Sequence, residues 1–133
     1  MSLKTIYVKT TGSCNLNCDH CFTNGKTGDK TQFDPMLTAA WVKDFMSMHS
    51  GDVEYHLEIH GAEPFLAPIS KLNAFSDEFL HLSNVSMCGN SNLVFKITDE
   101  ILSYIKVYFD SRIGTSWAHW IRFDNEKQLT LWK

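Results

Sequence analysis

Long apolar runs are missing from the 133-residue chain. No stretch approaches the roughly 18 residues that would cross a membrane, and Met1 to Lys9 lacks the apolar core of a secretory signal. A basic surplus is missing too: 12 Lys and Arg stand against 15 Asp and Glu, for a formal charge of −3, which excludes a nucleic-acid clamp driven by phosphate neutralisation. With 44% hydrophobic and 20% charged residues, disorder is excluded as well, and residues 1–133 read as one compact cytoplasmic domain. Cysteine is scarce, at four, and badly spaced for a disulfide framework. Cys14, Cys18 and Cys21 fall within eight residues while Cys88 stands alone, so the cluster reads as a set of thiolate ligands.

Hydrophobic period organises the rest. Ile6 and Val8 alternate with Tyr7 and Lys9 in a strand over Lys4–Thr10. The turn-forming run 11–33 has no sustained period and reads as a loop long enough to be functional, with the three clustered cysteines inside it. Asp34-Pro35 is a cap and first-turn proline, after which Leu37, Trp41, Phe45 and Met48 recur at helical spacing for about four turns. Val53 to His60 alternates cleanly as a second strand. Ile69, Leu72, Phe75, Phe79 and Leu82 mark a second helix, and Val85–Cys88 a third strand followed by the loop Gly89–Asn92. Ile97, Ile101, Ile105 and Tyr108 mark a third helix, capped near Thr98 with Glu100 early in it, and Arg112–Trp117 is a fourth strand candidate. Repeated βα units imply a parallel sheet, in a barrel or a doubly wound fold, with chemistry at the carboxyl ends of the strands. At roughly 31 residues per barrel unit the chain supplies about four, which makes it an incomplete parallel (β/α) barrel.

Cys14-x3-Cys18-x2-Cys21 offers three soft thiolates and no evident fourth ligand. Such a set suits a [4Fe–4S] cluster with one iron open to a non-protein ligand. The alternative is a zinc site completed by Cys88 or a distant histidine.

The run Cys14-Asn15-Leu16-Asn17-Cys18-Asp19-His20-Cys21 resembles the cluster motif of the radical S-adenosylmethionine (SAM) enzymes, with His20 at the position usually held by an aromatic residue. Gly61-Ala62-Glu63-Pro64, at the end of the second strand, resembles the family's Gly-Gly-Glu-Pro. Gly114-Thr115-Ser116-Trp117 resembles the fourth-strand segment of peptide-modifying, sulfatase-maturase-like members. The resemblance covers about residues 4 to 123 and implies a partial TIM barrel. It assigns Cys14, Cys18 and Cys21 as ligands of three irons and places His20 near the adenine of SAM. Gly61, Ala62 and Glu63 would face the SAM ammonium, and Ser91, Asn92 and Ser116 the ribose or the methionine carboxylate. The implied reaction is reductive cleavage of SAM to a 5′-deoxyadenosyl radical, fed by an external one-electron donor and acting on a peptide substrate.

The chain departs from that pattern in three places. Ala62 replaces a glycine, which matters if the backbone there has a positive φ. Ala118 stands where peptide-modifying relatives carry an aspartate. Four units fall short of the family's six, so either a second chain completes the barrel or the protein is a truncated, non-catalytic remnant.

Other conspicuous residues have plainer readings. His56 and His60 lie about 13 Å apart along a strand, too far to share an ion, and belong with Glu54 and Glu58 to a polar strand face or barrel interior. Cys88 reads as a small buried apolar side chain. Trp41, Phe45, Phe75 and Phe79 are expected in the core. Trp117, Trp120 and Trp132 would line substrate or cover the missing half, and Lys96, Lys106 and Arg122 belong to a solvated surface.

Overall fold

Two helix starts and one strand start are decided locally. The Asp34 carboxylate accepts from the Met36 and Leu37 amides, both at 3.0 Å, and Pro35 supplies the first turn of a helix over Pro35–Ser47 (α1). Thr98 caps a helix over Asp99–Tyr108 (α3) by accepting from Ile101 N–H, with Asp99 and Glu100 in the first turn and Lys106 in the last, each on the favourable end of the dipole. Gly51, at φ +89°, makes the left-handed turn that feeds the strand Val53–His60 (β2).

The computed structural model describes residues 1–16, 18 and 29–115. Besides those elements it contains strand Ser2–Lys9 (β1), a 3-10 turn at Pro64–Leu66, helix Ile69–Asp77 (α2) and strand Val85–Gly89 (β3). The protein is therefore α/β, as its period implies. The sheet is parallel and its order sequential, β1-β2-β3, with Ile6 opposite Leu57 and Leu57 opposite Met87.

Alternation sorts the side chains. Val8, Leu57 and Ile59 form one buried cluster with Ala39 and Val42 of α1, Leu72 and Phe75 of α2, and Ile101, Tyr104 and Ile105 of α3. All three helices thus cover the same face. A doubly wound sheet would place helices on both faces and reverse its strand order; among the described residues neither occurs, and the unit is singly wound. The opposite face carries Thr5, Tyr7, Lys9, His56, Glu58, His60, Ser86 and Cys88, the polar face expected for the strand histidines.

The core expectation holds for α2 and fails for α1. Phe75 and Phe79 are buried, their rings 5.1 Å apart. Trp41 is 64% exposed and Phe45 39%, and Leu37 and Met48 are also exposed; the buried stripe of α1 is Ala39 and Val42 instead. The reason is that α1 is apolar nearly all round, so helical spacing alone cannot choose a face. Lys43 pairs with Glu78 and lies over the Phe79 ring, marking the edge of the α1 face that packs toward α2. Smaller differences concern ends: α2 stops at Asp77, and Ile97 is 42% exposed, outside α3.

The fourth strand candidate shows one parallel bridge, Asn90 to Gly114. Gly114 N–H donates to the Gly89 carbonyl at 3.0 Å and the Gly114 carbonyl accepts from Ser91 N–H at 2.9 Å. A Cβ at Gly114 would stand 1.8 Å from Asn90 Oδ1, so a side chain there would have to displace the Asn90 amide, while the nearest backbone atom, the Gly89 carbonyl oxygen, stays at 3.6 Å. Trp117 and the tail beyond it lie outside the described residues.

Candidate functional site

The cysteine loop leaves the sheet through a zipped neck. Thr11 bridges Gln32 in antiparallel sense, Gly12 N–H donates to the Thr31 carbonyl at 3.1 Å, and Phe33 N–H donates to Thr10 at 2.9 Å. A Cβ on Gly12 would stand 1.9 Å from the Asp29 carbonyl, which explains a glycine at the closest approach of the two arms. The loop ends are held together by backbone, which sets Cys14 at the carboxyl end of β1.

The segment after β2 is laced to that neck. Ala62 N–H donates to the Thr11 carbonyl at 3.1 Å and Glu63 N–H to the Ser13 carbonyl at 2.9 Å, immediately before Cys14. Gly61 is the residue that needs to be glycine: its φ is +139° and a Cβ would stand 2.7 Å from the Thr11 carbonyl oxygen. Ala62 is outside the positive-φ set, so its methyl group carries no backbone strain. The departure from Gly-Gly-Glu-Pro falls where a side chain is tolerated.

Glu63 is 1% exposed and turned inward. Its Oε1 accepts from Ser91 Oγ at 2.8 Å and more weakly from Phe65 N–H at 3.4 Å, and its Oε2 accepts from Asn92 N–H at 2.7 Å. The carboxylate thereby buckles the loop after β2 to the loop after β3. Burial of such a group is offset only because both oxygens are satisfied. The Ser91 hydroxyl is also committed, accepting from Leu93 N–H at 3.1 Å.

Asn92 closes the circle. Its Oδ1 accepts from Val94 N–H at 2.8 Å in an Asx turn that holds Leu93 at φ +57°, an uncommon conformation for a branched side chain. Its Nδ2 donates to Asn15 Oδ1 at 2.7 Å and approaches Cys14 Sγ at 3.7 Å, while Leu16 N–H donates to the same sulfur at 3.4 Å. The Asn15 amide in turn donates to the Val94 carbonyl. Cys14 therefore receives two N–H groups, the environment that stabilises a thiolate and withdraws charge from metal-bound sulfur.

Of the residues the sequence singles out, the fold brings together Cys14, Gly61, Ala62, Glu63, Ser91 and Asn92, all at the carboxyl ends of the strands. Cys18 is half-buried in the same loop. His20, Cys21 and Ser116 lie outside the described residues. Among the described residues, which do not include Cys21, no three His, Cys, Asp or Glu side chains converge on one point. Cys88 departs from its expected place: it is half-buried on the open face of the sheet with its sulfur 2.9 Å from His56 Nε2. Sequence reading missed Asn15, which looked like one more turn former. Its signal, an asparagine directly after the first of the clustered cysteines, gains meaning only once the loop after β3 is seen to meet it.

No family model matches the chain, and no curated protein is significantly similar to it.

Proposed function

We propose that the chain is the cluster-bearing, N-terminal part of a radical SAM protein, holding a [4Fe–4S] cluster through Cys14, Cys18 and Cys21 and binding SAM beside it. The single observation that carries this reading is the pair of N–H donors, Leu16 N and Asn92 Nδ2, aimed at Cys14 Sγ from two different strand-end loops. A thiol with no metal gives a fold little reason to bring a second loop to its sulfur, whereas a cluster thiolate is tuned by such contacts. The donor set fits the group: soft sulfur ligands on a loop whose ends are clamped by backbone.

When bound, the cluster supplies one electron to SAM, releasing methionine and a 5′-deoxyadenosyl radical. The chain's own residues would bind and orient. With Glu63, Ser91 and Asn92 committed to one another, contacts to the SAM ammonium fall to main-chain carbonyls of the Gly61–Glu63 segment, which those three side chains hold in place. Asn92 thus has two tasks, positioning Cys14 and stiffening the segment after β2. His20 and Ser116 complete the proposed SAM site, with a peptide as the substrate class and an external one-electron donor as the partner.

A second reading, a cluster-binding remnant or a half that needs another chain, is favoured by one observation. The described sheet has three strands and a polar face that no described element covers, with the fourth position reached by the Asn90–Gly114 bridge alone. Anaerobic reconstitution of the full chain with iron and sulfide tests both readings. A brown protein with absorption at about 400 nm that bleaches on reduction, lost in Cys18→Ala, supports the cluster. Release of 5′-deoxyadenosine from SAM identifies the enzyme, and its absence from a loaded cluster identifies the remnant. A chain that stays colourless or takes up only zinc overturns the proposal.

A further inference from the structure

On the open face of the sheet, one strand-step below the loops of the proposed cluster site, a separate constellation links β2 to β3. His56 Nε2 lies 2.9 Å from Cys88 Sγ, and its Nδ1 lies 2.8 Å from Ser86 Oγ. The register explains the contact: His56 pairs with Ser86 and Glu58 with Cys88, so alternation puts all four side chains on the same face. A thiol, an imidazole and a hydroxyl that orients the imidazole form the sequence of contacts by which a nucleophile is activated by a neighbouring base. Nothing in the cluster chemistry uses them.

We propose that Cys88 is a base-assisted thiol nucleophile, with His56 as its base and Ser86 as the positioning residue, and that it takes sulfur electrophiles of the disulfide class. The geometry fits the imidazole tautomer in which Nδ1–H donates to Ser86 and Nε2 accepts the Cys88 S–H. Burial, and after it the Glu58 carboxylate, push the Cys88 thiol above its ordinary value, so the sulfur keeps its proton until a base removes it. Access is open: Ser86 is exposed, and Cys88 and His56 are half-buried beside a groove of about 610 Å³. Lys106, Arg112 and Asp110 stand on the same groove, and since Asp110 pairs with Arg112 at 3.0 Å, Lys106 is, among the described residues, the groove's unneutralised cation, a contact for a disulfide that carries a carboxylate.

The step balances without a further reagent. As Cys88 sulfur attacks one sulfur of the disulfide, its proton passes to His56 Nε2; the new S–S bond forms, the old one breaks, and the departing thiolate takes the proton back from His56. Cys88 is oxidised to a mixed disulfide and the leaving sulfur is reduced to a thiol.

The test uses the full chain and glutathione disulfide or 4,4′-dithiodipyridine at neutral pH, with the Cys88 peptide quantified by mass spectrometry so that Cys14, Cys18 and Cys21 do not contribute. Cys88 in the wild-type chain is expected to form the mixed disulfide at least about tenfold faster than in His56→Gln. Ser86→Ala is expected to slow the reaction several-fold and Ser86→Thr to restore it, a rescue that a merely structural serine would not give. Equal Cys88 rates in wild-type and a folded His56→Gln chain overturn the proposal. Should His56→Gln fail to fold, equal rates in Ser86→Ala and wild-type overturn it in the same way.

Discussion

The backbone amide of Asn92 donates to the buried carboxylate of Glu63 at 2.7 Å, so a residue that looks like a ligand for a cation serves as the joint between two strand-end loops. Its removal leaves Ser91 Oγ and Asn92 N–H without their partner in a dry place. Glu63→Ala is expected to destabilise the chain by about 2–4 kcal/mol and Glu63→Gln by less, since the amide keeps one acceptor. Denaturant unfolding of the two variants measures this; an unchanged midpoint for Glu63→Ala refutes the joint.

The two small residues after β2 are expected to respond oppositely to a methyl group. Gly61→Ala combines a left-handed φ with a Cβ 2.7 Å from the Thr11 carbonyl and is expected to cost well over about 1 kcal/mol. Ala62→Gly relieves nothing and is expected to change stability by less than about 1 kcal/mol. Thermal unfolding of both variants checks the ordering.

Aromatic truncation separates the buried from the exposed helix faces. Phe75, wholly buried and in edge contact with Phe33, is expected to lose about 3–5 kcal/mol as Phe75→Ala. Trp41→Lys is expected to stay within about 0.5 kcal/mol, because the ring is already in water. Fluorescence from Trp41, isolated by replacing the other three tryptophans, should be quenched readily by acrylamide; a shielded Trp41 would contradict the exposed face of α1.

Alkali should find two tyrosines in sequence. Burial, followed by the hydrogen bond to Asp77, raises Tyr108 to about 12, and burial raises Tyr104, hydrogen-bonded to Ser76 at 2.7 Å, further still. Both groups are bound more tightly as neutral phenols in the fold than in the unfolded chain, whose tyrosines ionise near pH 10. Their contribution is therefore complete below about pH 10 and is lost as pH rises toward and past 12. Tyrosinate absorbance during alkaline unfolding follows it, and Tyr104→Phe should flatten the loss.

In the proposed cluster protein, Asn92→Ala is expected to weaken iron retention by about tenfold, because it removes an N–H from Cys14 sulfur and frees Asn15. Iron content after gel filtration of the reconstituted variant, compared with Cys18→Ala, reads the effect. Full retention would reduce the amide to a bystander.

Local chemistry alone determined a good deal of this protein. The Asp34 and Thr98 caps and the alternation of β2 are legible because each rests on contacts between near neighbours or on a strict period. The gathering of Gly61, Glu63, Ser91 and Asn92 at one end of the sheet followed from the βα repeat itself. Tertiary structure decided the rest. It chose Ala39 and Val42 over Trp41 and Phe45 because an all-round apolar helix has no preferred face until a sheet and a second helix are laid against it. It turned Glu63 inward, brought Asn15 to Asn92 across 77 positions of chain, and set His56 on Cys88 through strand register, none of which a one-dimensional pattern encodes.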